Sequence, residues 1–255
     1  SSESVMSFTR GSIKEYYRKH YTKDNIVVSV AGSFDEAKVE SYFEHAFDSL
    51  PAKGENVSNF TLPDSTEVSG YNEINKNIEQ AHLAIGIKAL PYGDERKYPL
   101  RVLNTLLGGG MSSRLFQHIR EKKGLAYSIH SSVGANKDSG LFIIEAGVSK
   151  DNVDITLESI KEELELLQNH KVPKEEIKSA KEQLKSLYIF SSENVQSRMI
   201  LNGITVLCNE TFKTSDEILN LIDSVSENDI EEVKSIIDNF DNYTIVNVCS
   251  NGGQS

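Results

Sequence analysis

The chain has 255 residues, 38% of them hydrophobic and 25% charged, the composition of an ordinary globular protein with ample material for a core. Its net charge of −11 argues against nucleic acid as a partner, because phosphate binding needs clustered Lys and Arg. No apolar run approaches ~18 residues, and the opening SSESVMSF is neither basic nor apolar enough for a signal peptide, so no membrane partner is expected. The first residue is Ser1 rather than Met, which suits a processed or cut product. Cys208 and Cys249 lack a CxxC spacing and sit among Val and Leu, so they are expected to be buried free thiols, and a cytoplasmic location is expected with them.

Taken in chain order, residues 9–20 read as a helix capped by Thr9 or Ser12, with Ile13, Tyr16 and Tyr17 on one side. Asn25 to Gly32 is a β-branched run ending in glycine, hence a strand. A helix after Asp35 buries Val39, Tyr42, Phe43 and Phe47. Residues 51–76 lose periodicity and collect Pro51, Gly54, Pro63 and Gly70, the pattern of a linker. Gln80 to Leu90 alternates as a strand, and Tyr98 to Leu107 has helical core spacing. Strands Tyr127 to Val133 and Leu141 to Val148 are joined by a hairpin from Gly134 to Gly140. Helices follow at Asp151 to His170, Pro173 to Phe190, Glu193 to Leu207 and Glu227 to Asn239, then a strand from Tyr243 to Cys249. Nothing is assigned between residues 208 and 226.

The ends of the chain match each other. Thr9, Ile13 and the run from Asn25 to Gly32 correspond to Ser226, Ile230 and the run from Asn242 to Val248. Both read helix, short polar turn, strand, and the offset of roughly 217 residues suggests two copies of one module. The first copy lacks about 150 initial residues on that arithmetic. Residues 1–62 are therefore expected to be the end of a first domain plus linker, and 63–255 a complete second domain. The expected fold class is α+β, a two-layer α/β module with a mostly antiparallel sheet packed against helices, preceded by the remnant of a second copy.

The most informative stretch runs from Leu106 to Ser128. A helix ends on Gly108, Gly109 and Gly110, whose tight turn is expected to require positive φ, and a second helix opens at Ser112 or Ser113. A turn at Gly124 leads into a strand, and Arg120 and Tyr127 project from neighbouring elements. An arginine and a phenol held there can bind a peptide carbonyl or steady an oxyanion. Arg120 paired with an acid and Tyr127 packed in the core would explain the same residues structurally. The glycines precede no GK[ST], so they are not a nucleotide loop, and Ser112 and Ser113 lack a GxSxG elbow. The six histidines, His20, His45, His82, His118, His130 and His170, form no HxxEH; His118 with Glu121 reads as a surface pair on one helix face. No metal site is found.

The segment LLGGGMSSRLFQHIREKKGLAYS closely resembles the second-domain signature of the mitochondrial-processing-peptidase and pitrilysin family, the inverted-zincin metallopeptidases. HYTKDNIVVSVAGSFDEAKVESYFEHAFDSLP is similar to the end of that family's first domain. The resemblance implies paired α/β modules facing each other around a peptide chamber, with the zinc motif early in the first domain, outside this chain. It implies that Arg120 in IRE and Tyr127 in GLAYS contact substrate backbone and stabilise the tetrahedral intermediate, while Gly108, Gly109, Gly110, Ser112 and Ser113 line the cleft. The implied function is the C-terminal part of a zinc endopeptidase, inactive alone. Its implied partners are a peptide substrate and a zinc-bearing half or partner subunit, with a homodimer also compatible. The alternative is a non-catalytic, peptide-binding or scaffolding subunit of the same family.

Overall fold

The computed structural model describes residues 2–53, 69–208 and 210–250. The chain divides into two compact units, Ser1–Ser65 with Asn194–Asn209, and Thr66–Glu193 with Glu210–Ser255. The boundary expected at residues 62/63 lies outside the described residues.

The first unit contains helices α1 (Ser2–Ser7), α2 (Arg10–His20) and α3 (Glu36–Asp48), together with α7 (Val195–Leu207) from later in the chain. Each of the longer three has a side-chain cap. Thr9 and Ser12 form a reciprocal capping box, Asp35 accepts from the Lys38 amide, and Asn194 accepts from the Ser197 amide. Caps are local, which is why the starts of α2 and α3 are legible. At α7 the Asn194 cap starts the helix at Val195, two residues after the expected Glu193. The helix before it, Lys174–Glu193, runs on to Glu193 rather than ending at Phe190. Burial is not local, and it differs from expectation. Ile13, Tyr16, Tyr17 and Tyr42 are exposed, and Val39, Phe43 and Phe47 are only half-buried.

The strand expected from Asn25 to Gly32 does not form. A short 3₁₀ turn takes Lys23–Asn25, and residues 26–31 make no ladder with any described residue. A β-branched run becomes a strand only when a neighbour supplies the backbone partners. The segment is tied instead to α7, where the Ser29 hydroxyl donates to the Met199 carbonyl at 2.7 Å.

The second unit is built on a five-stranded sheet. Its strands are β1 (Gly70–Asn75), β2 (Ala81–Ala89), β3 (Ala126–Ala135), β4 (Gly140–Val148) and β5 (Thr244–Cys249), in the order β1-β5-β2-β4-β3. Only β1 and β5 run parallel; the other pairs are antiparallel. This is the expected α+β class with a mostly antiparallel sheet. β1 corrects the linker expectation, since residues 70–75 form an edge strand. All six of its residues are exposed, so it carries no apolar alternation by which a sequence could reveal it.

Period-two alternation sorts the sheet into two faces. Leu83 and Ile85 of β2 and Phe142, Ile144 and Val148 of β4 are buried, while His82 and Glu145 on the opposite face are exposed. The core is closed by α4 (Lys97–Gly108), which packs on β3, and by α6 (Lys174–Glu193) and α9 (Glu227–Lys234), which pack on α4. α5 (Val153–Asn169) buries Ile160, Leu164 and Leu167 at helical spacing. One helix was not foreseen, α8 (Ser215–Ser224), although Thr214 and Glu217 spell its capping box. Cys208 and Cys249 are free, and both are half-buried rather than buried. Among the described residues no helix is long and apolar enough to cross a membrane.

Candidate active site

The site is built from the corner between α4 and β3. α4 ends on Gly108, and the chain turns through Gly109 to Ser113, becomes helical at Arg114, and then widens into a π-helix over Phe116–Lys122. The widening is visible in the backbone, where the Lys123 amide reaches the His118 carbonyl at 3.1 Å, five residues back. Gly124 adopts φ 63°, the left-handed conformation that favours glycine, and reverses the chain into β3.

The glycines of the loop are needed for a different reason from the one expected. None of Gly108, Gly109 and Gly110 has positive φ. Gly108 and Gly109 are required by close approach instead. A Cβ on Gly108 would lie 2.5 Å from the Ser131 amide nitrogen, and one on Gly109 would lie 2.6 Å from the Thr105 Cα. The loop is therefore a tight backbone crossing of α4 over β3 and over its own last turn. Ser113 is buried, and its hydroxyl donates to the Gly110 carbonyl at 2.5 Å, which closes the turn. The Gln183 side chain of α6 donates to the Gly109 carbonyl at 3.2 Å, and the Ser112 hydroxyl lies 3.5 Å from its amide oxygen.

Arg120 and Tyr127 flank the Gly124 reversal. The Arg120 guanidinium lies over the Phe116 ring at 4.6 Å, and its Nε is 3.9 Å from the Glu121 carboxylate, too far for a hydrogen bond. Its side chain is 42% exposed. Tyr127 is 60% exposed and sits where the β3–β4 register slips between Ala126 and Ser128. Such a bulge re-aims a side chain at a strand end. No hydrogen bond joins the two residues, and neither donates to another described residue. The corner thus offers two hydrogen-bond donors from adjacent elements without committing either to the core.

Beside the corner lies a cleft of about 560 Å³, bordered by Ser112 and Ser113. Gly108, Gly109 and Gly110 are not among the residues that line it. On its wall Arg114 donates from Nε to the Glu176 carboxylate at 2.9 Å and lies 3.6 Å from Glu163. His118 Nδ1 stands 2.5 Å from the other Glu163 oxygen. The partner of His118 is therefore Glu163 on α5, not Glu121 on its own helix. The expected pairing assumed α-helical spacing, and the π turn moves residue i+3 out of line. A sequence signal for Glu163 existed, because it falls on the apolar face of α5 between Ile160 and Leu167. Among the described residues, no group of three or more His, Cys, Asp or Glu side chains could hold a metal ion, so a zinc ion has no fitted site there.

Comparison with known proteins identifies the family. A Bacillus subtilis protein named "uncharacterized zinc protease YmxG" is 38% identical over 224 residues, covering 88% of this chain and 54% of that protein. A Rickettsia felis protein, also named an uncharacterized zinc protease, is 37% identical over 231 residues, covering 90% of this chain and 55% of its own length. The chain thus spans about half the length of these curated relatives. Among solved structures, a peptidase M16 inactive domain from Pseudomonas fluorescens superposes with a TM-score of 0.83 at 19% identity, covering 99% of this chain and 60% of that one. A protease from Helicobacter pylori superposes with a TM-score of 0.82 at 20% identity, covering 96% of this chain and 60% of that one. At such identities these two show the shared fold. Residues 7–184 match the family described as the peptidase M16 inactive domain, and the chain belongs to that family.

Proposed function

We propose that this chain is the half of an M16 zinc protease that lies opposite the metal, and that Arg120 and Tyr127 bind the substrate there. Residues 1–62 are, on this reading, the end of the first domain, and 63–255 the second. The observation that carries it is the pair flanking Gly124: two donors, each at least two-fifths exposed, neither of whose side chains donates a hydrogen bond to another described residue. In the complete protein a zinc ion held by the other half would supply the hydrolytic chemistry. The contribution of this chain is binding and charge. The guanidinium and the phenol O–H donate to a peptide carbonyl oxygen and hold it more strongly as negative charge develops on it. Donors preorganised on a packed corner need no reorganisation at that moment. The loop at Ser112 and Ser113 borders the path of the peptide. A cytoplasmic location is part of the same proposal, supported by two cysteines that form no disulfide.

A second reading is favoured by the family's own description of this domain as inactive. In it the protein is a peptide-binding or scaffolding subunit that works with a zinc-bearing partner. One experiment separates the two. The complete translation product, loaded with zinc, is assayed against a peptide mixture, alone and with Arg120→Ala or Tyr127→Phe. Hydrolysis that falls about 100-fold in each variant supports the first reading. Peptide binding without hydrolysis supports the second. Hydrolysis unchanged in both variants overturns the role given to the pair.

A further inference from the structure

The π-helix is the least expected element of the corner, and it carries Arg120. Runs of i→i+5 bonding are rare, and they persist where the surroundings hold them. Here three groups from α5 reach across. Glu163 engages both Arg114 and His118, while Lys123 donates to Ser159 at 2.9 Å and to Glu162 at 2.8 Å. The Glu162 contact is exposed and weak by position. Glu163 is not; its side chain is 4% exposed, with Ile160 and Leu167 on the same buried face.

A buried carboxylate is an expensive way to hold two helices together. Replacing a whole buried ion pair by packed hydrophobes is often neutral or stabilising, although removing one partner alone is costly. Core stability therefore does not by itself explain an ionic cluster at this position. What a leucine cannot do is choose a register. Glu163 fixes His118 in the π segment and Arg114 four residues before it. A relaxation of the segment to α-helix would shift its residues by about one position, roughly 100° around the axis. Arg120 would then leave the side of the helix that it now occupies.

We propose that Glu163 is a positioning residue: its contacts with Arg114 and His118 lock the π register and thereby the side of the helix from which Arg120 projects. The proposal rests on the substrate role given to Arg120 above.

The test uses Glu163→Leu, with Glu163→Gln as the second variant should the first not fold. In this chain, amide hydrogen exchange is followed at Ile119–Lys123, with β2 and β4 as internal reference. In the complete translation product, peptide turnover is measured for the Glu163 variant, Arg120→Ala and the double variant. The expected result is exchange at Ile119–Lys123 accelerated at least tenfold while β2 and β4 stay protected. Turnover should fall at least tenfold in kcat with KM changed less than threefold, and the double variant should be no slower than Arg120→Ala. A structural brace would not give that non-additivity. Unchanged exchange in the segment, or additive losses in the double variant, overturns the proposal. If Arg120→Ala turns over normally, the role of Arg120 is what fails, and the exchange measurement still decides whether Glu163 sets the register.

Discussion

Gly108 lies against Ser131 so closely that a methyl group on its α-carbon would stand 2.5 Å from the Ser131 amide nitrogen and 2.8 Å from its Cβ. The end of α4 therefore rests on the backbone of β3. The same approach lets the Ser131 hydroxyl donate to the Asn104 side chain at 2.8 Å. Two elements that position the corner are thus joined by direct backbone approach and by one side-chain hydrogen bond. Gly108→Ala is expected to cost about 1–3 kcal/mol through overpacking. Gly134→Ala, where a Cβ would meet nothing within 4 Å, is the control and should be neutral or slightly stabilising. Urea midpoints at unchanged slope measure both.

At Gly124 the constraint is conformation, not space, since a Cβ would meet nothing within 4 Å but φ is 63°. Gly124→Ala should destabilise by about 1 kcal/mol, and Gly124→Asn by less, because Asn tolerates the left-handed region. Equal losses in thermal unfolding for the two variants would show that the cost arises elsewhere.

Besides Asp94, whose carboxyl the Arg96 guanidinium holds below its ordinary value, acid sensitivity is expected at two helix starts. Asp229 accepts from the Ser226 amide and hydroxyl at the start of α9, and these bonds hold its carboxyl below the ordinary 3.8. Glu217 accepts from the Thr214 amide and hydroxyl at the start of α8 and is likewise held below the ordinary 4.5. Folded values below unfolded ones mean that the stabilisation is complete well above those ordinary values. It drains away as the pH falls through the lowered ones. Ser226→Ala should lower stability at neutral pH by about 1 kcal/mol, and Asp229→Asn, which removes the titrating carboxyl itself, should flatten the acid limb of stability against pH. An Asp229→Asn variant with the full wild-type acid limb would contradict the assignment.

The unpaired run at residues 26–31 gives a prediction about the complete protein. If residues 1–62 are the end of a first domain, as proposed above, the run is the counterpart of β5, which lies between a parallel β1 and an antiparallel β2. Val28 and Val30 are exposed in this chain. In the complete translation product both edges of the run should be taken by strands of the first domain. Its amides should then exchange at least 100-fold more slowly than in this chain. Equal exchange in the two would remove the basis for assigning residues 1–62 to a first domain.

The parts that were legible in the sequence are those governed by local chemistry. Alternation marked β2, because it has one face in the core and one in solvent, and the turn chemistry of residues 134–140 marked the β3–β4 hairpin. Helical spacing marked α5, and Thr9 marked the start of α2. Position 70–75 failed for the opposite reason, since a strand exposed along its whole length has no pattern to read. The run at 26–31 failed because its residues favour a strand but no described neighbour completes one. At the corner, Arg120 and Tyr127 stood out by type and spacing, and they lie on either side of Gly124. The π register could not be foreseen, because it depends on Glu163, more than forty residues downstream.

Thr244 of β5 pairs with Gly70 of β1, about 170 residues earlier in the chain. At ribosomal speeds of about 5–20 residues per second, that strand follows β1 into solution by roughly 10–35 s. During this interval β1 has no partner, and β2 can pair only on its β4 side. A nascent sheet with a gap at its middle is open to the wrong strand as well as the right one. In β1, GYNEIN, the polar Asn72, Glu73 and Asn75 around Tyr71 and Ile74 then act as a safeguard, since a charged and polar edge is a poorer seed for aggregation while it waits.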